Sequence, residues 1–301
     1  MAKFKRIDDA YKNAGRIKLE KSSKIVLISD CHRGTGSGAD NFAKNQNLYY
    51  TALRYYDRLG YTYIELGDGD DLWETRHMDG ILMEYEHIFG IMADMYREGR
   101  FYMLYGNHDM IKKNKKWVKK NLSVYFPAYS TEKATLLPNA LVQESIVLSH
   151  QKYEIVLLHG HQADFFNDRL WKVGRFLVRY VWRPLELIGI LNPMSAATNP
   201  NRKLKVEKRL SRWGAENEKL LIAGHTHRAN FPAIGQDTYF NDGSCVHPRH
   251  ITAIEIVNEE ISLVNWGVQI KEDGTMYIAR EQMYGPVPLE GYFYKSDISV
   301  H

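Results

Sequence analysis

Five short motifs along this chain combine carboxylates, imidazoles or a carboxamide, most of them beside glycine, and each follows an apolar run. They are Asp30-Cys31-His32, Gly67-Asp68-Gly69-Asp70-Asp71, Gly106-Asn107-His108-Asp109, His159-Gly160-His161 and Gly224-His225-Thr226-His227. Mixed nitrogen and oxygen donors of this kind suit borderline divalent metals such as Mn, Fe or Zn better than Mg or Ca. One histidine beside an apolar run is ordinarily a hydrogen-bonded structural residue. Five motifs in series point instead to a single site. Asp68, delivered by the run Tyr63–Leu66, is the expected bridge between two metal ions. Such a pair, roughly 3.5–4 Å apart, can clamp the attacking and leaving oxygens of an in-line displacement. Two dications less the charges of Asp30 and Asp68 leave a net positive centre, which suits a phosphate.

The runs that deliver these motifs read as buried strands: Lys24–Ser29, Tyr63–Leu66, Phe101–Tyr105, Tyr153–Leu158 and Leu220–Ala223. Their ends fall at the carboxyl edge of a sheet, where open α/β sheets keep their sites. Helical spacing over 42–59 and 82–98, stopped by Gly60 and Gly99, makes the first half strand–helix–strand–helix–strand and predicts a sheet that starts parallel. Leu141–Leu148 and Tyr153–Leu158 read as a hairpin. Thr238–Asn241, Ile251–Val257 and Ile261–Trp266 read as antiparallel strands of a second sheet. The expected organisation is a helical arm over 1–23 and a domain over 24–274 with a helical insert at 165–213. A Tyr- and Pro-rich tail follows over 275–301.

At 301 residues, 44% hydrophobic and 25% charged, the chain can bury a substantial core. A net charge of +4 does not by itself argue for nucleic acid. Two cysteines are too few for a disulfide framework and suit a reducing compartment. The amino-terminal stretch is polar and no run approaches the length of a membrane span, so a cytoplasmic protein is expected.

The series of motifs resembles the calcineurin-like metallophosphoesterases over about residues 24–267. It stands nearest the branch of the UDP-2,3-diacylglucosamine pyrophosphatases, through Gly67–Trp73 and the position of the insert. The resemblance implies an α/β (α+β) fold of two packed mixed β-sheets flanked by helices, with a dinuclear centre at one end of the sandwich. It implies a first metal on Asp30, His32, Asp68 and His227, and a second on Asp68, Asn107, His159 and His225. His108 would protonate the leaving group or stabilise the transition state, with Asp109 orienting its ring. Two divalent ions, Mn first and Fe or Zn as alternatives, would serve hydrolysis of a phosphomonoester, phosphodiester or pyrophosphate by a hydroxide held between them. His159 sits directly at its strand end and is favoured over His161 as ligand. Asp71 is expected to orient ligands from outside the metal sphere. Asp70 is expected as a loop or cap residue and Cys31 as a small buried filler.

Arg169, Lys172, Arg175, Arg179 and Arg183 form one helical stripe beside the apolar stripe Phe166, Leu170, Val173, Leu177 and Val181. The insert holds 11 basic residues against 3 acids, a net charge of +8. Arg169, Lys172, Arg175 and Arg179 are therefore expected substrate contacts of a lid, and Arg33 is a further phosphate contact by position. The substrate would be nucleotide-linked or lipid-linked, with peripheral contact to the anionic inner face of a membrane. His-Gly-His and Gly-Asn-His-Asp depart from the His-Gly-Asp and Gly-Asn-Arg-Asp usual in that branch. A sugar-bisphosphate phosphatase and a nuclease are the alternative readings on the same site. A non-enzymatic scaffold would have eroded ligands, and none is eroded here. The lysine run 112–120 around Trp117 is expected as a solvated face.

Overall fold

The computed structural model describes residues 4–127, 130–182 and 200–293. Three strands open the fold: β1 (Gly15–Lys18), β2 (Lys24–Ile28) and β3 (Thr62–Glu65). After β4 (Phe101–Leu104) come the short β5 (Val124–Tyr125), β6 (Ala134–Thr135) and β7 (Val142–Gln143), then β8 (Ser145–Ser149) and β9 (Glu154–Leu158). The last are β10 (Leu220–Ala223), β11 (Tyr239–Asn241), β12 (His250–Val257), β13 (Glu260–Ile270) and β14 (Met276–Pro288). The helices are α1 (Lys5–Lys12), α2 (Gln46–Arg58), α3 (Met78–Glu84), α4 (Glu86–Arg97), α5 (Lys115–Leu122), α6 (Phe165–Arg169), α7 (Trp171–Leu177) and α8 (Pro200–Glu216).

Two mixed sheets carry all the strands but β5 and β6, which pair with each other: β14-β13-β12-β2-β3-β4-β7 and β1-β8-β9-β10-β11. Alternate residues of the central strands explain the stacking. Ile25, Leu27 and Ile64 on one sheet meet Ile146, Leu148, Ile155, Leu157 and Ile222 on the other. The opposite residues of the first sheet, Val26, Ile28 and Tyr63, pack with Tyr49 and Leu53 of α2 and Ile88 and Met92 of α4. Val147, Val156 and Leu221 on the outer face of the second sheet pack with Ile7 of α1 and Leu210 and Trp213 of α8. Each such side chain contributes about 1.5–3 kcal/mol on burial. This four-layer stack therefore holds motif-bearing strands of only four or five residues.

Several expectations are corrected by the pairing. The five motif-bearing strands do not share one sheet. β2, β3 and β4 lie parallel in the seven-stranded sheet, and β9 and β10 lie parallel in the five-stranded one. β12 and β13 are antiparallel as expected, but they extend the sheet of β2 rather than forming a second one. β11 pairs parallel to β10 in the other sheet. Residues 276–288, expected as a tail, form β14, which pairs along β13. The amino-terminal arm also joins the fold, because β1 pairs with β8. The β8–β9 hairpin is antiparallel as expected. Arg183, the insert's residues 185–191, whose sequence is apolar almost throughout, and the end of the chain after 293 lie outside the described residues.

Candidate metal centre

The loops that leave β2, β3 and β4 run side by side. The Asp30 amide donates to the Gly67 carbonyl, and the His32 amide donates to the Asp68 carbonyl at 2.9 Å. The next link is a side chain: the His108 amide donates to Asp68 Oδ1 at 2.7 Å. From the other sheet, the His225 amide donates to Asp30 Oδ2 at 2.8 Å, and the Gly224 amide to the His159 carbonyl. The edges of both sheets thus meet in one cluster.

Asp30, His32, Asp68, His225 and His227 all have φ between 50° and 68°. Non-glycine residues enter this left-handed region at a cost of about 1–3 kcal/mol each, and such strain collects at functional sites. Gly106 shows the same crowding, since a Cβ there would overlap Asp68 Oδ1 and the Asp68 backbone nitrogen.

Among the described residues four sets of atoms could hold a cation; besides His32–Asp71–His108 and Glu144–His161–Asp168, two form the main ligand groups. Atoms of Asp30, His32 and His227 lie within 4.8 Å of one another, and so do atoms of Asp68, His159 and His225. His227 Nε2 is 3.0 Å from Asp30 Oδ1, and His159 Nε2 is 3.2 Å from Asp68 Oδ2. Asp68 Oδ2 also lies 3.8 Å from His32 Nε2, so this one oxygen faces both groups. His159 Nδ1 lies 3.0 Å from the Leu66 carbonyl, which directs Nε2 into the cluster as the free nitrogen. Asn107 Oδ1 is buried without a hydrogen-bond partner, and Asp30 Oδ1 and His159 Nε2 have none beyond the imidazole–carboxylate contacts just given. Buried polar atoms in that state are costly unless something absent from the protein itself satisfies them. The donor set fits divalent cations.

The electrostatics agree. Burial opposes charge on Asp68, but His159, His108 and His32 outweigh it and hold the carboxyl well below the usual range. Burial lowers the His159 pKa, while the charges of Asp68 and Asp30 more than reverse this and push it up to about 9. Without metal, the protonated His159 therefore adds stability that is fully present below its unfolded pKa near 6.5 and is lost as pH rises through 9. A metal held by His159 would have to displace that proton. The expected outcome is Mn²⁺ affinity that rises with pH up to about 9, with proton release on binding. Calorimetry in buffers of different ionisation enthalpy checks both.

His108 stands at the rim. Its Nδ1 is 3.3 Å from Asp71 Oδ1, and its ring stacks on Trp73 at 4.4 Å and 18°. Asp71 Oδ1 also accepts the Trp73 and Glu74 amides, and Asp71 Oδ2 lies 3.8 Å from His32 Nδ1. This corrects the expected role of Asp109. Its Oδ1 accepts the Gly106 amide and its Oδ2 pairs with Lys112, so Asp71 is the carboxylate that faces the His108 ring.

Arg33 is likewise not at the site surface. Its side chain is fully buried, bonded to Asp70 at 2.7 Å and to both oxygens of Glu65. Asp70 is fully buried in the same ion pair rather than capping a loop, and Lys112 is buried rather than solvated. Cys31 is a buried free thiol. His161 lies in neither group. It neighbours Glu144 and Asp168, whose carboxylates are held by Arg6 of α1.

The insert docks beside His108. Arg179 donates to the carbonyls of Leu72, Trp73 and Thr75, which occupies its guanidinium with backbone, and Gly174 of α7 abuts Trp73. Arg175 and Lys172 lie 4.9 and 5.9 Å from the ring centre of Trp171, with Lys113 at 5.4 Å. The Arg169 side chain is outside the described residues. Asp164, not singled out from the sequence, lies 3.5 Å from His225 Nε2 and binds Arg202. Its only sequence signal is its distance of five residues from His159.

Two stacked sheets whose parallel strands end in clustered histidines, carboxylates and a carboxamide define a metallophosphoesterase-type sandwich. The calcineurin-like phosphoesterase family matches residues 23–229, and the chain belongs to that family. No curated protein sequence matches it. Among solved structures, it is similar to an uncharacterised protein of Streptococcus pneumoniae TIGR4 described as a predicted phosphoesterase, at 13% identity and a TM-score of 0.33, covering 86% of this chain and 97% of that one. It is also similar to Vps29 of Chaetomium thermophilum at 11% identity and a TM-score of 0.38, covering 88% and 97%.

Proposed function

We propose that the protein is a phosphoesterase that holds two divalent metals, on Asp30, His32, Asp68 and His227 and on Asp68, Asn107, His159 and His225. The observation that carries this reading is Asp68 Oδ2, which faces His159 at 3.2 Å and His32 at 3.8 Å and so stands between the two ligand groups. When bound, the metals supply positive charge against phosphoryl oxygens and lower the pKa of a water. The chain's own residues do the rest. Asp30 and Asp68 bring negative charge to balance the ions. His108, held by Asp71 and Trp73, either gives the leaving group a proton or stabilises charge on the phosphoryl group in the transition state.

The insert sets the substrate. Phe166, Leu170, Val173, Phe176, Tyr180 and Val181 are exposed large apolar side chains, interleaved with Lys172 and Arg175. An anionic substrate with an apolar or nucleotide part suits that face, as in the pyrophosphatase branch the motifs resemble. Contact with an anionic membrane would use the same surface. Among the described residues, no helix is long and apolar enough to cross a membrane.

A substrate panel with Mn²⁺ tests the reading: p-nitrophenyl phosphate, bis-p-nitrophenyl phosphate, nucleotide sugars, sugar phosphates and single-stranded DNA. Metal-dependent turnover with preference for diesters or pyrophosphates is the expected result. Preference for sugar phosphates, or salt-sensitive DNA cleavage, would move the substrate to the alternatives. No turnover across the panel would overturn the activity.

A further inference from the structure

Beneath the cluster lies a row of five charged side chains, Glu65, Arg33, Asp70, Lys112 and Asp109, each at most 1% exposed. Arg33 bonds Glu65 at 2.7 Å and Asp70 at 2.7 Å. Lys112 Nζ then lies 2.6 Å from Asp70 Oδ2 and 2.8 Å from Asp109 Oδ2. Gly69 leaves the space for it, because a Cβ there would overlap Glu65 Oε2 and Arg33 Nη2.

Each member is attached to a loop that carries ligands. Arg33 follows His32, and its backbone binds Gly69 and Asp71 on both sides. Asp70 follows Asp68 by two residues. Asp109 Oδ1 accepts the Gly106 amide at 2.7 Å, beside the His108 amide that donates to Asp68 Oδ1. Lys112 lies in the 3-10 turn Met110–Lys113 directly after the His108 loop. The row therefore ties the loops after β2, β3 and β4 together below their ligand atoms.

We infer that Lys112 is a positioning residue for the reaction: by holding Asp70 and Asp109 it fixes the spacing of Asp68, Asn107 and His108. The physical reason is the strain above it. Left-handed residues persist only where their surroundings over-determine them, and Asp30, Asp68 and Asp71, each within 3.8 Å of a His32 ring nitrogen, would spread apart on a loose frame. The row has three acids against two bases. Removing Lys112 would leave Asp70 and Asp109 buried without the cation between them, and a buried pair broken on one side is disruptive. Surface ion pairs, by contrast, give little.

This inference rests on the phosphoesterase reading for its rate measurement, and its second readout is independent of that reading. Lys112→Met in the full chain with Mn²⁺ is expected to fold, to lower kcat by about 10- to 100-fold with KM within about twofold, and to speed amide exchange across Gly106–Asp109. Val147→Ala, on the outer face of the five-stranded sheet, is the stability control and keeps native kcat and exchange there. If Lys112→Met does not fold, Asp109→Asn takes its place. It keeps an acceptor for the Gly106 amide but loses the charge facing Lys112, and the same changes are expected at smaller size. Native kcat with native exchange in the folded variant overturns the inference. So does a rate loss that Val147→Ala reproduces at equal loss of Tm. A wild-type protein inactive on every substrate would refute the phosphoesterase reading, while the exchange comparison would still decide the role of the row.

Discussion

Replacing Asp68 with Asn is expected to abolish tight metal binding and activity together. The side chain serves three partners at once. Oδ1 takes the His108 amide at 2.7 Å, and Oδ2 faces His159 and His32. An asparagine can keep the amide contact through its carbonyl oxygen, but it then turns an NH2 group toward two imidazoles and removes a full charge from between the two proposed metal sites. Loss of one preorganised electrostatic group costs about 10²–10³ in rate at other active sites. A group shared by both metals should cost at least the upper end of that range. Metal analysis of the purified variant should give less than one ion per chain against two for the wild type. A fully metal-loaded and active Asp68→Asn protein would refute the bridge.

His108→Gln is the second large effect, and it should separate from the first. His108 belongs to neither four-residue ligand set, so the variant is expected to keep both metals while kcat falls about 10²–10⁴-fold, the range of a positioned acid or base. Leaving-group dependence distinguishes the two roles proposed for it. If the ring protonates the leaving oxygen, substrates that release p-nitrophenolate lose less than those that release an alcohol. If it stabilises charge on the phosphoryl group, both lose alike. Asp71→Asn should follow with a smaller loss of about 10–100-fold, because Asp71 acts through the ring it faces and also supports His32. Full turnover in His108→Gln would remove the residue from the mechanism.

Much of the site is legible in the sequence because its ligands are attached to strong local signals. Short apolar runs that end in Asp-x-His, Gly-Asp, Gly-Asn-His, His-Gly or Gly-His mark strand ends whatever the topology. Those signals picked out Asp30, Asp68, His159 and His227, and the structure brings them into the two ligand groups. Assignments that rested on position alone fared differently. Arg33 follows a ligand pair and looked available to substrate, yet its guanidinium turns inward to Glu65 and Asp70. Lys112 looked like one more solvated lysine in a basic run. Asp109 is adjacent to His108 in the chain, but Asp71, from another loop, is the carboxylate near its ring. Side-chain direction at a loop is set by backbone angles and by the neighbours that crowd it, and neither has a sequence period to read.

By itself the sequence determined the strand ends, the kinds of donor they carry and hence the chemistry of a divalent-metal site, because donor type and apolar run length are local properties. Only the tertiary structure decided that the ends come from two sheets rather than one, since β11 and β12 choose their partners by packing across a shared core. It also decided which charges face the candidate metal cluster and which lie beneath it as a buried frame. That choice depends on desolvation and on partners distant in the chain, and a carboxylate that binds metal is spelled in the sequence the same way as one that binds lysine.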